Sequence, residues 1–446
     1  MCHLLDSARR SIYPVNPSVS EILGLATYSS VADIPGSIDL AVIAVYAPQV
    51  PAVLRECVQK RVKAAVIISA GFAETGEQGQ KLQAEVVNIA RQGGIRFIGP
   101  NSMGHVDALS QLSTLAWLEG ITSGSVSVIS QSGNYGELIV RHGMASGIGF
   151  SKFISTGNEA DLHLEDYLEY LAQDESTRII ALYIEGLREG RRFLQLAKET
   201  ATRKPIIAVK AGGTSASARA ARSHTGALAG SDAVYAAAFK QAGVMRVNDN
   251  HELCDVAIAL LTQPLPRNNR VAILTIGGGP GVVASEACER EGLAVAMLSS
   301  STIEKLDTCL PSRWSHGNPV DVAGMTVRKR AFLFASLWAL MEDENVDAVL
   351  FQLPVILNAK RLSTILGFDD EAARAFQDMQ EENLSRTAQK AKELGKPVFI
   401  VTLISDAETS AFLRRVGIPA YPSPHRAARV LHHLVWYRRY LDAAAV

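Results

Sequence analysis

Short runs of β-branched and aliphatic residues alternate with helical patterns along almost the whole chain, and this alternation limits the possible folds more than any other feature. Strands that alternate with helices are typical of parallel sheets whose faces are covered by helices. The sequence therefore predicts an α/β protein. A length of 446 residues predicts roughly three domains, each large enough to bury a core of its own.

The alternation falls into three segments, 1–112, 113–262 and 270–446, and the prolines and turn formers of 263–269 predict a linker between the last two. Strands are predicted at 40–45, 64–69, 95–98, 124–130, 179–184, 206–209, from Arg270 onward, 346–353 and 397–403. Helices are predicted near 48–60, 77–93, 137–142, 227–242, 249–262, 369–394 and 424–441, and the charged stretch 369–394 is interpreted as a long solvated helix.

Composition excludes several classes of partner. With 48% hydrophobic and 20% charged residues and a net charge of -1, the chain has no electrostatic footprint for nucleic acid or anionic lipid. No apolar run approaches the ~20 residues that span a bilayer, so we expect no membrane partner. The five cysteines are scattered, without the close pairs of a zinc site or a disulfide framework. No metal site is predicted, and the scattered cysteines favour a reducing compartment. Because the first residues lack a secretory h-region, we expect the chain in the cytoplasm.

His224 stands in a run of small residues, where an imidazole has almost nothing apolar to pack against. The Gly/Ser/Ala-rich stretch 210–219 upstream predicts a surface loop, and a helical pattern follows over 227–242. His224 is therefore predicted to lie just before a helix, on a flexible arm. A solvated loop histidine is the ordinary interpretation of such a residue, and the neighbouring motifs favour a functional one.

A strand that ends at Ser130 runs directly into Gln131, Ser132 and Gly133, after which a helix is predicted. The first N–H groups of a helix and the positive end of its dipole suit a phosphate. The sequence therefore predicts a phosphate site at this turn. The alternative is an ordinary helix cap supplied by Ser130 or Ser132.

Glu185 ends another predicted strand, at the sheet edge where doubly wound folds bind their ligands. A carboxylate at that edge can hold one ring N–H of a histidine and leave the other nitrogen free as a nucleophile; the alternative is a solvated strand end. The glycine-containing turns 69–76 and 99–104 also follow strands and favour a ligand crevice. Residues 277–281 match neither a dinucleotide fingerprint nor a P-loop, so they are interpreted as a tight turn.

Several motifs occur in the order found in one family of enzymes. These motifs are IYPVNP (12–17), IISAGF (67–72), GPNSMG (99–104), SQSG (130–133), YIEG (183–186), SHTGALAG (223–230) and NPVD (318–321). On these motifs the chain resembles the NDP-forming acyl-CoA synthetases, and in particular the α subunits of ADP-forming acetyl-CoA synthetases, which are relatives of the succinyl-CoA synthetase α subunit.

The resemblance implies a CoA-binding Rossmann-like domain followed by two flavodoxin-like domains, which fits the three segments. It implies that His224 carries a phosphoryl group, that Glu185 orients it, and that Ser130, Gln131, Ser132 and Gly133 hold the phosphate. It also implies an acid site at Asn101 and Ser102. The CoA-binding residues implied by the family are Val15, Asn16, Pro17, Ala44, Tyr46, Pro48, Ser69, Ala70 and Gly71.

Two departures from the family pattern bear on partners. Only twelve residues precede Tyr13, so the first strand and glycine turn of the family are expected to be missing. Either the chain start is wrongly assigned, or the protein binds CoA weakly. The ATP-grasp domains of the family are absent, which implies a separate β subunit that supplies ATP or ADP with Mg2+, in a hetero-oligomer. A non-catalytic CoA-binding or scaffold protein is the alternative. A nicotinamide-dependent oxidoreductase is disfavoured, because the chain lacks the dinucleotide-binding fingerprint.

Overall fold

The computed structural model divides into two compact units, Met1–Cys254 and Asp255–Val446. The α/β class predicted from the sequence is confirmed, because parallel sheets and helices make up both units. The residues that the structure describes are 10–115, 120–214, 216–217, 231–322, 330–352, 357–402 and 407–445.

The first unit begins with a small parallel sheet and its helices. Strands β3, β4 and β5 pair in that order, and β1 pairs with β2 as an antiparallel hairpin. The strands are β1 (Glu21–Ile22), β2 (Leu25–Ala26), β3 (Leu40–Ile43), β4 (Ala64–Ile67) and β5 (Arg96–Ile98), and the helices are α1 (Val50–Gln59) and α2 (Glu77–Gly93). Helix α2 ends where Gly94 adopts a left-handed φ of 70°, a conformation that glycine adopts without steric cost.

A second sheet in the same unit has the strand order β12-β11-β10-β8-β9-β6-β7. Its strands are β6 (Gly104–Asp107), β7 (Leu112–Ser113), β8 (Ser123–Ser130), β9 (Phe150–Ser155), β10 (Ile179–Ile184), β11 (Ile206–Lys210) and β12 (Val244–Val247). Its helices are α3 (Gly133–Ala145), α4 (Leu164–Gln173), α5 (Gly190–Ala201) and α6 (Asp232–Ala242). Helix α7 (Asn250–Thr262) begins in this unit and continues past its boundary at Cys254.

Strands β8 to β12 are parallel, so their carboxyl ends share one edge of the sheet. Val128, Ile129 and Leu182 in the central strands are fully buried, as expected for strands covered on both faces. β6 and β7 join the other side of β9 as antiparallel strands. These two strands thus belong to the second sheet, whereas the sequence-based boundary at residue 112 assigned most of them to the first domain.

The second unit contains another parallel sheet, with the strand order β14-β13-β16-β17-β18 and with β15 paired to β13. Its strands are β13 (Arg270–Thr275), β14 (Ala294–Val295), β15 (Val320–Asp321), β16 (Ala348–Gln352), β17 (Val398–Val401) and β18 (Ala420–Tyr421). Its helices are α8 (Gly278–Arg290), α9 (Ser300–Cys309), α10 (Arg330–Glu342), α11 (Ala359–Leu366), α12 (Asp370–Leu394), α13 (Ala407–Val416) and α14 (Pro424–Ala444).

Two sequence-based interpretations concern this second unit. The stretch 277–281 was interpreted as a tight turn, and this is wrong for four of its five residues, because 278–281 form the first turn of α8. Gly277 lies in the turn after β13, where its φ is 118° and its N–H donates to Oδ1 of Asp321 at 2.7 Å. The stretch interpreted as a long solvated helix is α12, and this helix also buries a stripe that includes Ala373, Phe376 and Leu384. The stripe explains how α12 is stabilised, because helices in proteins gain most of their stability by packing an apolar face.

Candidate active site at the carboxyl edge of the second sheet

The turn from β8 into α3 has the geometry of a helix N-terminus that can receive an anion. Ser132 caps the helix, its hydroxyl accepting from the N–H of Tyr135 at 3.4 Å, and the buried Ser130 donates its hydroxyl to the Ser132 carbonyl at 2.5 Å. A Cβ at Gly133 would lie 2.4 Å from Cγ of Met103, so glycine allows this close packing. The first N–H groups of α3 have no partner within the helix and form the positive end of its dipole.

Gln131, in the same turn, has a different environment. Its Oε1 accepts from the N–H groups of Glu185 at 2.5 Å and of Gly186 at 3.0 Å. Its Nε2 donates to the Gly186 carbonyl at 2.7 Å and to Oε2 of Glu159 at 3.0 Å. The carboxamide therefore links the end of β8 to the end of β10. A direct contact between Gln131 and phosphate stays a prediction.

Glu185 lies where β10 ends and is 9% exposed. Its carbonyl accepts from Nζ of Lys210 at 3.0 Å, and this ammonium also donates to the carbonyl of Ala211. Nζ stands 4.4 Å from the ring centroid of Tyr235, whose hydroxyl accepts from the N–H of Leu187 at 3.2 Å. Burial lowers the pKa of Lys210. These contacts fasten the carboxyl ends of β10 and β11 to the first turns of α6.

His224 lies outside the described residues, and the structure describes the chain on both sides of it. A Cβ built at Gly213 would lie 2.9 Å from Oδ1 of Asp232, whose carboxylate pairs with Arg246 at 2.6 Å. The chain therefore leaves β11 and enters α6 at neighbouring points, next to the edge that carries Glu185. The role of His224 itself stays a prediction.

The loops after β3 and β4 contain most of the predicted CoA-binding residues, and they lie together because Ile43 and Ile67 are paired neighbours in the sheet. Ser69 donates its hydroxyl to the Val45 carbonyl at 2.5 Å. Gly71 has a φ of 108°, and a Cβ there would meet Cβ of Ala47 at 3.0 Å. The residues Ala44, Tyr46, Pro48, Ser69, Ala70 and Gly71 thus share one edge.

Two of the predicted CoA segments differ in how exposed they are. The Tyr46 side chain is 85% exposed, an unusual position for an aromatic ring in a monomer. Val15, Asn16 and Pro17 lie near the start of the described chain, where the N–H of Asn16 donates to the Tyr28 carbonyl at 2.9 Å. Exposed apolar and aromatic groups at a strand edge fit a large organic ligand such as CoA.

The predicted acid-binding residues lie between the two sheets of the first unit. The N–H of Asn101 donates to the Ser69 carbonyl at 2.8 Å, and its Nδ2 donates to Oδ1 of Asn158 at 3.2 Å. Ser102 is buried, and its hydroxyl donates to the Ser155 carbonyl at 2.6 Å. Asn101 therefore joins the predicted CoA loop to the second sheet, while a contact between the Ser102 hydroxyl and an acid stays a prediction.

Asn158 belongs to a polar network that sequence reasoning missed. Its Nδ2 donates to Oε2 of Glu74 at 2.5 Å and to Oε1 of Gln83 at 3.0 Å. Oε1 of Glu74 in turn accepts from the N–H groups of Gly71 at 2.6 Å and of Phe72 at 3.1 Å. The predicted CoA loop and the loop after β9 are therefore fixed to each other.

Glu159, the next residue, is 4% exposed and has a left-handed φ of 52°. Burial raises the pKa of its carboxyl to about 7, with a smaller contribution from the charge of Glu165. The hydrogen bond from Gln131 and the charge of Arg188 act in the opposite direction. The only signal in the sequence was an acidic residue in a polar turn, which does not reveal burial.

We expect Glu159→Gln to change how stability depends on pH. The pKa is raised from 4.5 to about 7, so between these values the folded state binds more protons than the unfolded chain, and stability falls as pH rises. Urea unfolding at pH 4.5 and pH 8 should show that the wild type loses about 3 kcal/mol more than the variant over this window. Equal losses in the two proteins would contradict the burial of an ionisable Glu159.

Two further properties concern metals and membranes. Among the described residues, no group of three or more His, Cys, Asp or Glu side chains is arranged to hold a metal ion. Over the same part of the chain, no helix is both long enough and apolar enough to cross a membrane.

Comparison with known proteins gives the family of the chain. Residues 1–107 match a CoA binding domain, and residues 123–260 match a succinyl-CoA ligase like flavodoxin domain. The chain is 41% identical over 427 residues to the α subunit of the ADP-forming acetate–CoA ligase II of Pyrococcus furiosus, covering 95% of this chain and 89% of the relative. It is 39% identical over 429 residues to the ADP-forming acetate–CoA ligase I of Archaeoglobus fulgidus, covering 96% of this chain and 59% of that relative.

A solved structure agrees with these matches. The dinucleotide-forming acetyl-coenzyme A synthetase 1 of Ca. Korarchaeum cryptofilum, in complex with phosphate and ADP, superposes with a TM-score of 0.83 at 32% identity, covering 100% of this chain and 93% of that one. The fold and the matched domains thus define a protein of the CoA ligase class. The chain belongs to the family of ADP-forming acyl-CoA ligases, and it matches their α subunits over nearly its whole length.

Proposed function

We propose that this chain is the α subunit of a cytoplasmic ADP-forming acyl-CoA ligase, which interconverts a small carboxylic acid, CoA and ATP with acyl-CoA, ADP and phosphate. One observation carries the proposal: the anion-binding turn before α3, Glu185 and both ends of the segment that contains His224 lie at one edge of the second sheet. Asn101 and Asn158 connect that domain to the predicted CoA loops.

The chemistry explains why a phosphorylated histidine is useful. A carboxylate is a poor acylating agent, and phosphorylation gives it a leaving group. The carboxylate oxygen of the acid attacks phosphohistidine, so that the N–P bond breaks and an O–P bond forms. The CoA thiolate then attacks the carbonyl carbon of the acyl phosphate, forming a C–S bond and releasing phosphate. His224 is the nucleophile that regains the phosphoryl group from ATP.

Each proposed residue has one task in this sequence. Glu185 orients the imidazole of His224 and stabilises its cationic form, while the N-terminus of α3, with Ser130, Ser132 and Gly133, stabilises the phosphoryl oxygens. Asn101 and Ser102 lie near the acid. Val15 to Pro17, Ala44 to Pro48 and Ser69 to Gly71 hold CoA, which brings the thiol for the second step.

The nucleotide belongs to a partner in this proposal. The relatives that are named α subunits imply a second subunit, and we propose an ATP-grasp β subunit that binds ATP or ADP with Mg2+ and phosphorylates His224. The assembly is then a hetero-oligomer. The alternative is a non-catalytic CoA-binding protein of the same family, and the next experiment distinguishes it from the ligase.

Labelling with ATP tests the proposal. The purified chain is mixed with a β subunit from a relative and γ-labelled ATP, and acid-labile, base-stable label is mapped by peptide. Label on His224 that is lost when a carboxylic acid substrate and CoA are added together supports the ligase. No label on this chain, with the same β subunit phosphorylating its own α partner, would support the non-catalytic protein instead.

Tyr46→Ala tests the predicted CoA edge. Loss of an exposed ring from a ligand surface costs about 1–3 kcal/mol when a base stacks on it. We therefore expect the KM for CoA to rise on the order of tenfold with little change in kcat. Tyr170→Ala removes another exposed ring, on α4, and serves as the control. Equal KM values for wild type and Tyr46→Ala would remove Tyr46 from the CoA site.

A further inference from the structure

The side chain of Gln131 leaves no hydrogen-bonding position open. A carboxamide offers two donors and two acceptor positions, and Gln131 uses both donors, on Glu159 and Gly186, and both acceptor positions, for Glu185 and Gly186. The orientation of the amide is unambiguous, because two N–H groups face its oxygen and a carbonyl and a carboxylate face its nitrogen. These bonds hold the N–H of Glu185 and both the N–H and the carbonyl of Gly186.

Glu159 accepts the hydrogen bond from Gln131, and the backbone on both sides of Glu159 is held by hydrogen bonds. The residues on either side of it donate to the first domain: the N–H of Asn158 bonds to the Pro100 carbonyl at 2.9 Å, and the N–H of Ala160 bonds to the Gly99 carbonyl at 3.1 Å. The groups that act on the carboxyl of Glu159 are Gln131, Thr156, Glu165 of α4 and Arg188 before α5. Burial raises the pKa of the neighbouring Tyr167 of α4, and the charge of Glu159 adds to this effect.

We propose that Gln131 and Glu159 form a positioning pair, which fixes the backbone of Glu185 and Gly186 and thereby the direction of the Glu185 carboxylate. The pair acts through Glu185. This inference rests on the proposed function, since it deepens the role of Glu185 as the group that orients His224. A displacement of about 1 Å in a positioning group can slow a reaction on the order of 10²-fold.

The bonds themselves are tested by amide hydrogen exchange on the intact chain, without any activity measurement. Gln131→Met keeps the length of the side chain and removes its four hydrogen bonds. The amides of Glu185 and Gly186 should then exchange at least tenfold faster than in the wild type. Gln195→Met is the matched control, since Gln195 donates to Glu199 at 3.1 Å on the exposed face of α5. Unchanged exchange at Glu185 and Gly186 in Gln131→Met would overturn the proposal.

The positioning role is tested by the rate of His224 labelling at several pH values. Gln131→Met should slow labelling about 10²-fold with the KM for CoA unchanged. Gln131→Glu places a second carboxyl group against Glu159, and it should label slowly at high pH and faster as pH falls, because one added proton replaces the lost donor. The double variant Gln131→Glu/Glu159→Gln restores a donor between the two positions, so labelling should partly recover and lose that pH dependence.

The outcomes separate this inference from the proposed function. A wild type that takes no label contradicts the ligase proposal. The hydrogen-exchange experiment still decides whether the positioning pair holds Glu185 and Gly186. A wild type that labels, together with a Gln131→Met variant that labels at the same rate, overturns the positioning role. Slow labelling in Gln131→Met and Gln131→Glu with recovery in the double variant supports it, because a general loss of folding would not be repaired by the second substitution.

Discussion

His224→Ala should abolish turnover of the chain with its β subunit, because it removes the atom that we propose carries the phosphoryl group. Removal of a catalytic nucleophile costs on the order of 10⁶-fold in kcat in a well-studied hydrolase, and we expect a loss of that order. The measurement is acyl-CoA formation from acid, CoA and ATP, together with acid-labile labelling of the chain. CoA binding, measured by calorimetry, should be unchanged, because the predicted CoA residues lie in the first domain.

The control for this substitution is a histidine elsewhere in the same domain. His142 lies near the end of α3, away from the turn predicted to bind phosphate, with its ring centroid 4.1 Å from that of His251. His142→Ala should therefore leave labelling and turnover within a few-fold of the wild type. Equal and complete loss in both variants would remove the specific role of His224 and point to a general loss of folding.

Glu185→Gln should slow phosphoryl transfer about 10²- to 10⁴-fold, the range observed when a group that orients or protonates a catalytic histidine is removed. The amide has nearly the same shape, so the contacts of the Glu185 backbone with Gln131 and Lys210 can persist. The charge that stabilises the cationic imidazole is lost. Single-turnover labelling of His224 from ATP measures this step without product release.

Glu189→Gln is the matched control, because Glu189 is a carboxylate in the same loop, is exposed, and pairs with Arg192 at 3.1 Å. It should label at the wild-type rate. A Glu185→Gln variant that labels as fast as this control would show that Glu185 does not act on the histidine, and the role of the β10 end would have to be assigned anew.

The sequence predicted the parts of the fold that depend on local periodicity. The strand 179–184 and the helix 77–93 were predicted with the bounds that the structure has, because each is an uninterrupted pattern between clear turn signals. The predicted helix over 227–242 begins at Asp232 in the described chain. The edge that holds Ser132 and Glu185 followed from the rule that parallel strands present their carboxyl ends together.

Features that depend on contacts between distant residues could not be predicted. β9 carries Ser151 and Lys152, two polar residues that interrupt its apolar pattern and yet are buried. The structure explains them: Lys152 pairs with Asp174 at 3.0 Å, and Ser151 shares hydrogen bonds with Ser127. Buried polar groups in proteins are nearly always hydrogen-bonded, but the sequence does not show the partners.

The candidate site shows the same division. Motif and resemblance singled out Gln131, Glu185 and Asn101 as site residues, and their roles stay predictions. The sequence did not reveal that Gln131 contacts Glu159, twenty-eight positions away, or that burial raises the pKa of Glu159. Such a contact leaves no periodic signal in the sequence, because the two side chains are distant along the chain. The protonation of the carboxylate depends on the surrounding protein, which the sequence does not show either.

The network around Asn158 limits how the first two domains can be recombined among relatives. Asn158 bonds to Glu74 and Gln83 of the first domain, and nearby Asp161 pairs with Arg96 and accepts from the N–H of Phe97. A chimera that takes its CoA-binding domain from another family member would have to bring matching partners for both Asn158 and Asp161. We therefore expect the two domains to be exchanged successfully only as one module.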